Sequence, residues 1–436
     1  MNRPIVITLL VIAMAFVCLG IGAVVFFTAN GSFRTNNPFD RRNIASALEE
    51  NKTLKVDAEK PLTLNVIDHS GSVTITGAEV ETVQVKVVKT AYDSSQARAD
   101  QEVKDIKYTV EQSGNVITLK YELPKSMNFS NKVNTVDFFV TVPTAAAVDI
   151  DSNFGEVSVT DLTGNAVIVN DFGDVTVTNL EGALSVSNNS GEVTVTSIRA
   201  GDGDIDLQSD FGSISLRNAS GKDVTLHSNS GTITLREVRA TGDISTNTDF
   251  GNTSFENGSG ALVSLEAKSG TVSLVKVRVN KEIKVQDDFG EIELDQVSAS
   301  SYDLHTNSGS ITVSDAAGKL KAHTDFGGIK IKNAQDVTLD LKTKSGTVEF
   351  SGSLGAGPHM VQSEFGEIDL TVPADSKLNV DLSTDFGNIH SDLPITVTLN
   401  GSSNSDGDKI LGSINGGGAK FTAQTNSGSV AIHASQ

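Results

Sequence analysis

Three histidines, His227, His305 and His323, each stand four residues before a glycine that closes a recurring tripeptide. Imidazoles at a repeated place could bind zinc or copper if a carboxylate completed the set. No His-Glu-x-x-His pair is present and no third ligand is specified, so polar surface residues are expected. Gly201-Asp202-Gly203-Asp204-Ile205-Asp206 and Asp406-Gly407-Asp408 loosely resemble calcium-binding β-roll turns, but the nonapeptide pattern does not repeat. Asp-Phe-Gly, the metal-binding tripeptide of protein kinases, occurs six times without a nucleotide loop or catalytic loop. Carboxylates that cut polysaccharides must converge in a groove; here they fall one per repeat along the chain. Outward Thr176, Thr178, Thr194 and Thr196 suggest a flat array of the ice-binding kind, but Glu293, Lys330, Glu349 and Asp369 break it further on. These residues assign no catalytic, cofactor-binding or metal-binding position. The chain is expected to be no enzyme and to need no cofactor.

The repeat says more about architecture. Asp-Phe-Gly ends at Gly173, Gly212, Gly251, Gly290, Gly327 and Gly387, with Asn-Phe-Gly at Gly155 and Glu-Phe-Gly at Gly366. Asn-Ser-Gly or Lys-Ser-Gly ends at Gly191, Gly231, Gly270, Gly309, Gly346 and Gly428. From Gly155 to Gly387 successive motif glycines lie 18 to 21 residues apart. A period near twenty without long insertions predicts stacked coils, each burying its neighbour's face. Counting the glycine as position zero, apolar residues stand at plus two and plus four, such as Val175 and Val177 or Ile292 and Leu294. Period two is a strand with one buried face. Plus seven is again mostly apolar (Leu162, Leu180, Ile198), and a second alternating pair follows, such as Leu184 and Val186. The fold class read from this is all-β, a parallel β-solenoid of about 20-residue coils, preceded by one transmembrane helix.

A coil could hold one motif or two. With two, Asp210, Asp249 and Asp288 would stack directly, about 4.8 Å apart, against like-charge repulsion of about 1 kcal/mol even in water. With one, Asn229 and Lys268 stand between them, and the column reads Asp249, Lys268, Asp288, then Asp325, Lys344, Glu364. Charge therefore favours the shorter coil.

Composition agrees with such a rod. Aromatics make up 5% of 436 residues and Trp is absent, too few large side chains for one globular core of that size. A formal charge of −20 argues against nucleic acid as a partner. The single cysteine, Cys18, lies in a hydrophobic segment, so no disulfide framework exists.

Residues 1–4 read as a short tail and residues 5–27 as an uncharged apolar stretch long enough to span a bilayer. Phe27-Thr28-Ala29 is a poor cleavage site and Val17 spoils a lipoprotein site at Cys18, which favours an uncleaved anchor. Arg3 favours a cytoplasmic start; Arg34, Arg41 and Arg42 oppose it. The large β-domain behind a short tail tips the expectation to a single-pass protein of the cell membrane with an extracytoplasmic carboxyl-terminal domain. Residues 28–53 read as a linker with at most a brief helix around Ile44 to Glu50. Residues 54–150 read as a β cap module with one helix between Ser94 and Lys107. Residues 151–436 read as solenoid repeats ending in irregular closing coils.

Val136 to Pro143, then Val148-Asp149-Ile150 and the Gly-x-Val-x-Val repeats, resemble the bacterial putative-adhesin β-strand-repeat family, as does Ile414-Asn415-Gly416-Gly417-Gly418 before the last Asn-Ser-Gly. The resemblance covers residues 54–436, with Asp-Phe-Gly as a variant of the family's Ser-Gly-Asp-Ile. It implies a β-solenoid of the cell envelope, often tied to a membrane segment, with no catalytic residues to carry over. The functional expectation is a non-enzymatic, membrane-anchored rod with an adhesin-like binding or surface-structural role. Its partners would be the membrane, through residues 5–27, and cell-envelope or surface ligands. The rival is an envelope-stress or regulatory accessory protein, and a polysaccharide-active β-helix enzyme is a distant third.

Overall fold

The structure is a computed structural model that describes residues 44–123, 133–402 and 408–435. The expected transmembrane helix, residues 5–27, lies outside the described residues, as do residues 28–43 of the expected linker. Among the described residues no helix is long and apolar enough to cross a membrane.

The described chain is almost entirely strand, and the strands pair in parallel with the next coil. Ala166–Phe172 pairs with Leu184–Ser190, placing Ile168 on Val186 and Asn170 on Asn188. Val175–Leu180 pairs with Val193–Arg199, placing Val175 on Val193 and Leu180 on Ile198. One motif therefore makes one coil, of about 20 residues, as the charge column predicts. The positions at plus two and plus four form ladders through the interior, such as Val175, Val193, Ile214, Ile233, Val272 and Ile292, all buried, with one polar rung, the buried Thr253, between Ile233 and Val272. Each such side chain contributes about 1.5–3 kcal/mol on burial, so narrow columns of Val, Ile and Leu suffice where large aromatics are scarce.

The ten coils from Gly155 to Gly327 each turn sharply twice. The first turn is at the motif glycine. The second is six residues later, where Asp161, Asn179, Ser197, Asn218, Glu237, Asn257, Lys276, Gln296, Asp315 and Asn333 hold left-handed φ angles of 49–61°. The next residue, such as Leu162, Leu180 or Ile198, then points inward and is buried.

Both ends of the stack are capped by antiparallel strands. At the amino-terminal end Thr135–Pro143 lies parallel to Val73–Ala78 but antiparallel to Thr82–Asp93. Thr82–Asp93 in turn pairs antiparallel with Ile44–Lys55. The brief helix expected around Ile44 to Glu50 is thus a strand. Seven residues cannot sustain a helix in water, whereas the edge of Thr82–Asp93 satisfies their backbone groups, and Glu50 meets the buried Lys89 at 2.6 Å. The helix expected between Ser94 and Lys107 is present as Gln96–Asp105, capped by Ser95, with Ala99 and Val103 buried. Stacking begins earlier than residue 151: Thr63–Asp68 and Val73–Ala78 already form a coil around Gly71, parallel to Ala147–Phe154 and Val157–Leu162.

The closing coils are out of order. Ala419–Ser427 pairs in parallel with both His359–Phe365 and Leu378–Phe386. The chain builds the coil of Gly387, turns back through Asp408–Ile414, antiparallel to Leu378–Phe386, and inserts the coil of Gly428 between those of Gly366 and Gly387. Such caps cover edges that would otherwise pair with other chains.

Candidate binding edge

The motif glycines stack into a single edge along the rod. In space they run Gly71, Gly155, Gly173 and onward in chain order to Gly366, then Gly428, then Gly387. At each of them a Cβ would fall on the backbone carbonyl of the rung before it, inside any allowed contact distance. Most also hold φ angles that L side chains rarely adopt, 147° at Gly251 and 134° at Gly270 for instance. Glycine is here because the next coil's backbone needs the space.

Three residues before each glycine a side chain points inward, and it is usually a small polar one. Ser228 Oγ donates to Gly212 O at 3.1 Å, Thr306 Oγ1 to Gly290 O at 3.2 Å, and Thr324 Oγ1 to Gly309 O at 2.9 Å. The series continues through the inverted coils, where Thr425 donates to Gly366 O at 2.9 Å and Thr384 to Gly428 O at 2.8 Å. Asn188 Nδ2 serves both Gly173 O at 3.2 Å and Gly191 O at 3.0 Å. Most glycine carbonyls at the tight corner thus gain a buried donor that satisfies them, while the rung of Ala267 offers none.

Two rungs carry a carboxyl in this row. Asp287 and Asp68 are both fully buried. In each, one oxygen accepts a backbone N–H, from Phe289 at 3.2 Å and from Ser70 at 3.1 Å, and the other has no partner. Burial pushes Asp287 up to about 6 and Asp68 up to about 8, where the neighbouring Asp137 charge adds to the effect. A protonated carboxyl can donate as the hydroxyls do; a carboxylate cannot.

Two positions before the glycine, acids alternate with Asn or Lys. Asn229 Nδ2 donates to Asp210 at 3.0 Å and Asn307 Nδ2 to Asp288 at 3.0 Å. Lys268 meets Asp249 at 2.7 Å and Lys344 meets Asp325 at 2.7 Å.

One position before the glycine, phenylalanine alternates with serine. Phe211, Phe250, Phe289, Phe326, Phe365 and Phe386 are 62–65% exposed, far more than aromatic rings usually are. Both alternations follow position in space, not order in the chain. Phe365 and Phe386 are successive motif phenylalanines in the sequence, yet the late coil of Asn426 and Ser427 lies between them. From Phe172 to Phe386 the edge therefore reads phenylalanine, serine, phenylalanine without a break, with acid and Asn or Lys beside them. Only at the amino-terminal end do two rings occupy adjacent rungs: Phe154 and Phe172 stack with centroids 5.1 Å apart and planes 5° from parallel.

His305 and His323 stand in adjacent coils with ring centroids 5.1 Å apart. Their Nε2 atoms go to Asn307 and Asp325, at 3.2 Å each, and His227 pairs likewise with Asn229 at 2.9 Å. Among the described residues no group of three His, Cys, Asp or Glu is placed to hold a metal ion. Asp406 and Gly407 of the second acidic turn lie outside the described residues. A second histidine pair, His390 and His433, meets on Asp392 only because the last coil folds back. A shallow depression on the second corner sets Arg239, Lys276 and Arg278 near Asp315. It holds no pair of carboxylates.

This is a capped parallel β-solenoid with an exposed aromatic and acidic edge running along it. The chain belongs to the Toastrack DUF4097 family, whose model matches residues 62–257 and again 258–433. It is similar in part to a putative cell adhesion protein from Clostridium sporogenes ATCC 15579, 9% identical over 89% of this chain and 100% of that one, with a TM-score of 0.19. It is also similar to a putative adhesin from Bacteroides fragilis NCTC 9343, 15% identical over 66% of this chain and 97% of that one, with a TM-score of 0.28. No curated protein matches the chain.

Proposed function

We propose that this chain is a non-enzymatic surface rod, anchored in the cell membrane through residues 5–27, with the solenoid outside and the glycine edge as its adhesive face. The observation that supports the reading is the row of solvent-exposed phenylalanines along that edge. Large apolar side chains held in water at a fixed pitch add nothing to the core and mark a binding surface. Anchor and orientation rest on the uncharged stretch of residues 5–27 and the bulk of the β-domain behind it.

The test has two arms. A protease site placed in residues 28–43, ahead of the strand Ile44–Lys55, is expected to release the rod from intact spheroplasts; cleavage only after lysis would put the solenoid in the cytoplasm. Attachment of cells bearing the chain, to surfaces or to each other, is expected to fall when Phe250, Phe289 and Phe326 are together changed to serine. Unchanged attachment would remove the adhesive role of this edge.

A further inference from the structure

We infer that the partner of the glycine edge is a second copy of the same edge, running antiparallel and offset by one rung so that the two phenylalanine combs interdigitate. The inference rests on reading that edge as a binding edge, and it names the occupant.

Nothing inside the molecule requires serine on every second rung. The stacked pair Phe154 and Phe172 shows that rings on adjacent rungs fit, at 5.1 Å. Leaving alternate rungs open, about 9.6 Å from ring to ring, makes slots floored by serine, each as wide as one inserted ring needs. A second comb set into those slots restores a stack at the rung spacing of about 4.8 Å. That the alternation holds where the chain order is inverted ties it to the surface presented.

Symmetry fixes the arrangement. A two-fold axis along the rod would set phenylalanine against phenylalanine on every rung. A two-fold axis across the rod reverses the order of rungs and, placed midway between two rungs, sets each phenylalanine opposite a serine. Centred between the rungs of Phe289 and Ser308, it brings Phe386 to Ser190 of the second copy and Phe326 to Ser269. Moved one rung toward the amino-terminal end, it would collide Phe386 with Phe154. The same operation sets the column beside the rings in complementary register: Asp249 faces Lys344, Asp325 faces Lys268, and the remaining acids face Asn. Six rings per copy, each more than three-fifths exposed, bring on the order of 1,200–1,800 Å² of apolar surface to the contact, the size of a stable interface. In copies anchored at their amino-terminal ends, the antiparallel pair points its anchors apart, as a link between two surfaces requires.

The test uses the full chain in detergent with Cys18→Ser as background and a short bis-maleimide. Ser308→Cys lies one rung from its own symmetry mate and is expected to cross-link as a dimer. Ser190→Cys lies about 50 Å from its mate and is expected to give at least about tenfold less dimer. Adding Phe250→Ser, Phe289→Ser and Phe326→Ser is expected to abolish the Ser308→Cys dimer while circular dichroism stays β-dominated. Absence of dimer with Ser308→Cys, or equal dimer from both cysteines, overturns the antiparallel pair. If attachment of cells still depends on the phenylalanines in that case, the adhesive edge stands with another ligand, such as a glycan. If it does not, both readings fall.

Discussion

Each coil from Gly155 to Gly327 turns two corners, and it meets the same backbone demand in two ways. At the glycine corner the carbonyl of the preceding rung occupies the place of a side chain, and on most rungs a buried donor three residues before the glycine satisfies that carbonyl. At the second corner the backbone is also left-handed, with φ of 49–61°, yet Asp, Asn, Ser, Glu, Lys and Gln all occur there. Their side chains point to solvent or half-buried positions, so conformational cost is the only charge, about 1–2 kcal/mol for an ordinary residue and less for Asn or Asp. One corner is limited by space, the other by dihedral angle alone.

The largest expected effect breaks the first corner. Gly251→Ala must push its methyl into the Gly231 carbonyl at a φ of 147°, and the rung cannot yield without parting from its neighbour. A loss of about 3 kcal/mol or more is expected in urea unfolding. Asn257→Ala, at the second corner of the same coil, should cost about 1 kcal/mol. Equal losses at the two sites would remove the distinction.

The next tests the buried row that supports the glycine corner. Asp287 rises to about 6 in the folded chain from an ordinary value of 3.8. The folded state therefore holds its proton more tightly, and this contribution to stability is present below about pH 4 and lost as pH rises through about 6. At pH 7 the rung carries a buried carboxylate where Thr306 on the next rung carries a donor. Asp287→Thr is expected to raise stability on the order of 2 kcal/mol at pH 7, with the gain vanishing by pH 4. A gain that does not change with pH would mean that the proton is not what matters.

How much of this was legible follows from the two corners. The glycine period, the buried alternation at plus two and plus four, and the coil length were all readable, because each repeats in nearly every coil and has one physical meaning. The donor row was on view as Ser, Thr or Asn three before most of the glycines, but small polar residues on a strand look like an outer face unless the carbonyl they serve is known. The second corner was signalled by Asp161, Asn179, Asn218, Asn257, Asp315 and Asn333 and masked by Glu237, Lys276 and Gln296. The inverted closing coils could not be read, since a coil inserted out of order keeps the same local pattern. The strand Ile44–Lys55 was hidden for a different reason: its pairing is with Thr82–Asp93, and nothing local reports a distant partner.

A smaller effect sharpens the second corner. Lys276 sits there at φ 56° with its side chain in solvent. Asn, which tolerates this conformation, should do better, so Lys276→Asn is expected to stabilise by about 0.5–1 kcal/mol. Destabilisation would show that the lysine makes a contact that matters more than the backbone angle.

The smallest expected effect concerns charge at the glycine corner. Lys268 is bonded to Asp249 at 2.7 Å and is 62% exposed. The parallel register also places it one rung from Asp288. Changing it to Glu sets three acids in successive rungs about 4.8 Å apart. Solvent screens such pairs, so the cost should be no more than about 1 kcal/mol, and added salt should relieve it. Lys276→Glu makes the same change of charge at the second corner, off the acid column, and should lack most of the loss and its salt dependence. If the two variants melt alike across low and high salt, the alternation of acid with Asn or Lys does nothing for the single rod, and its place along the edge is left to be explained by what the edge binds.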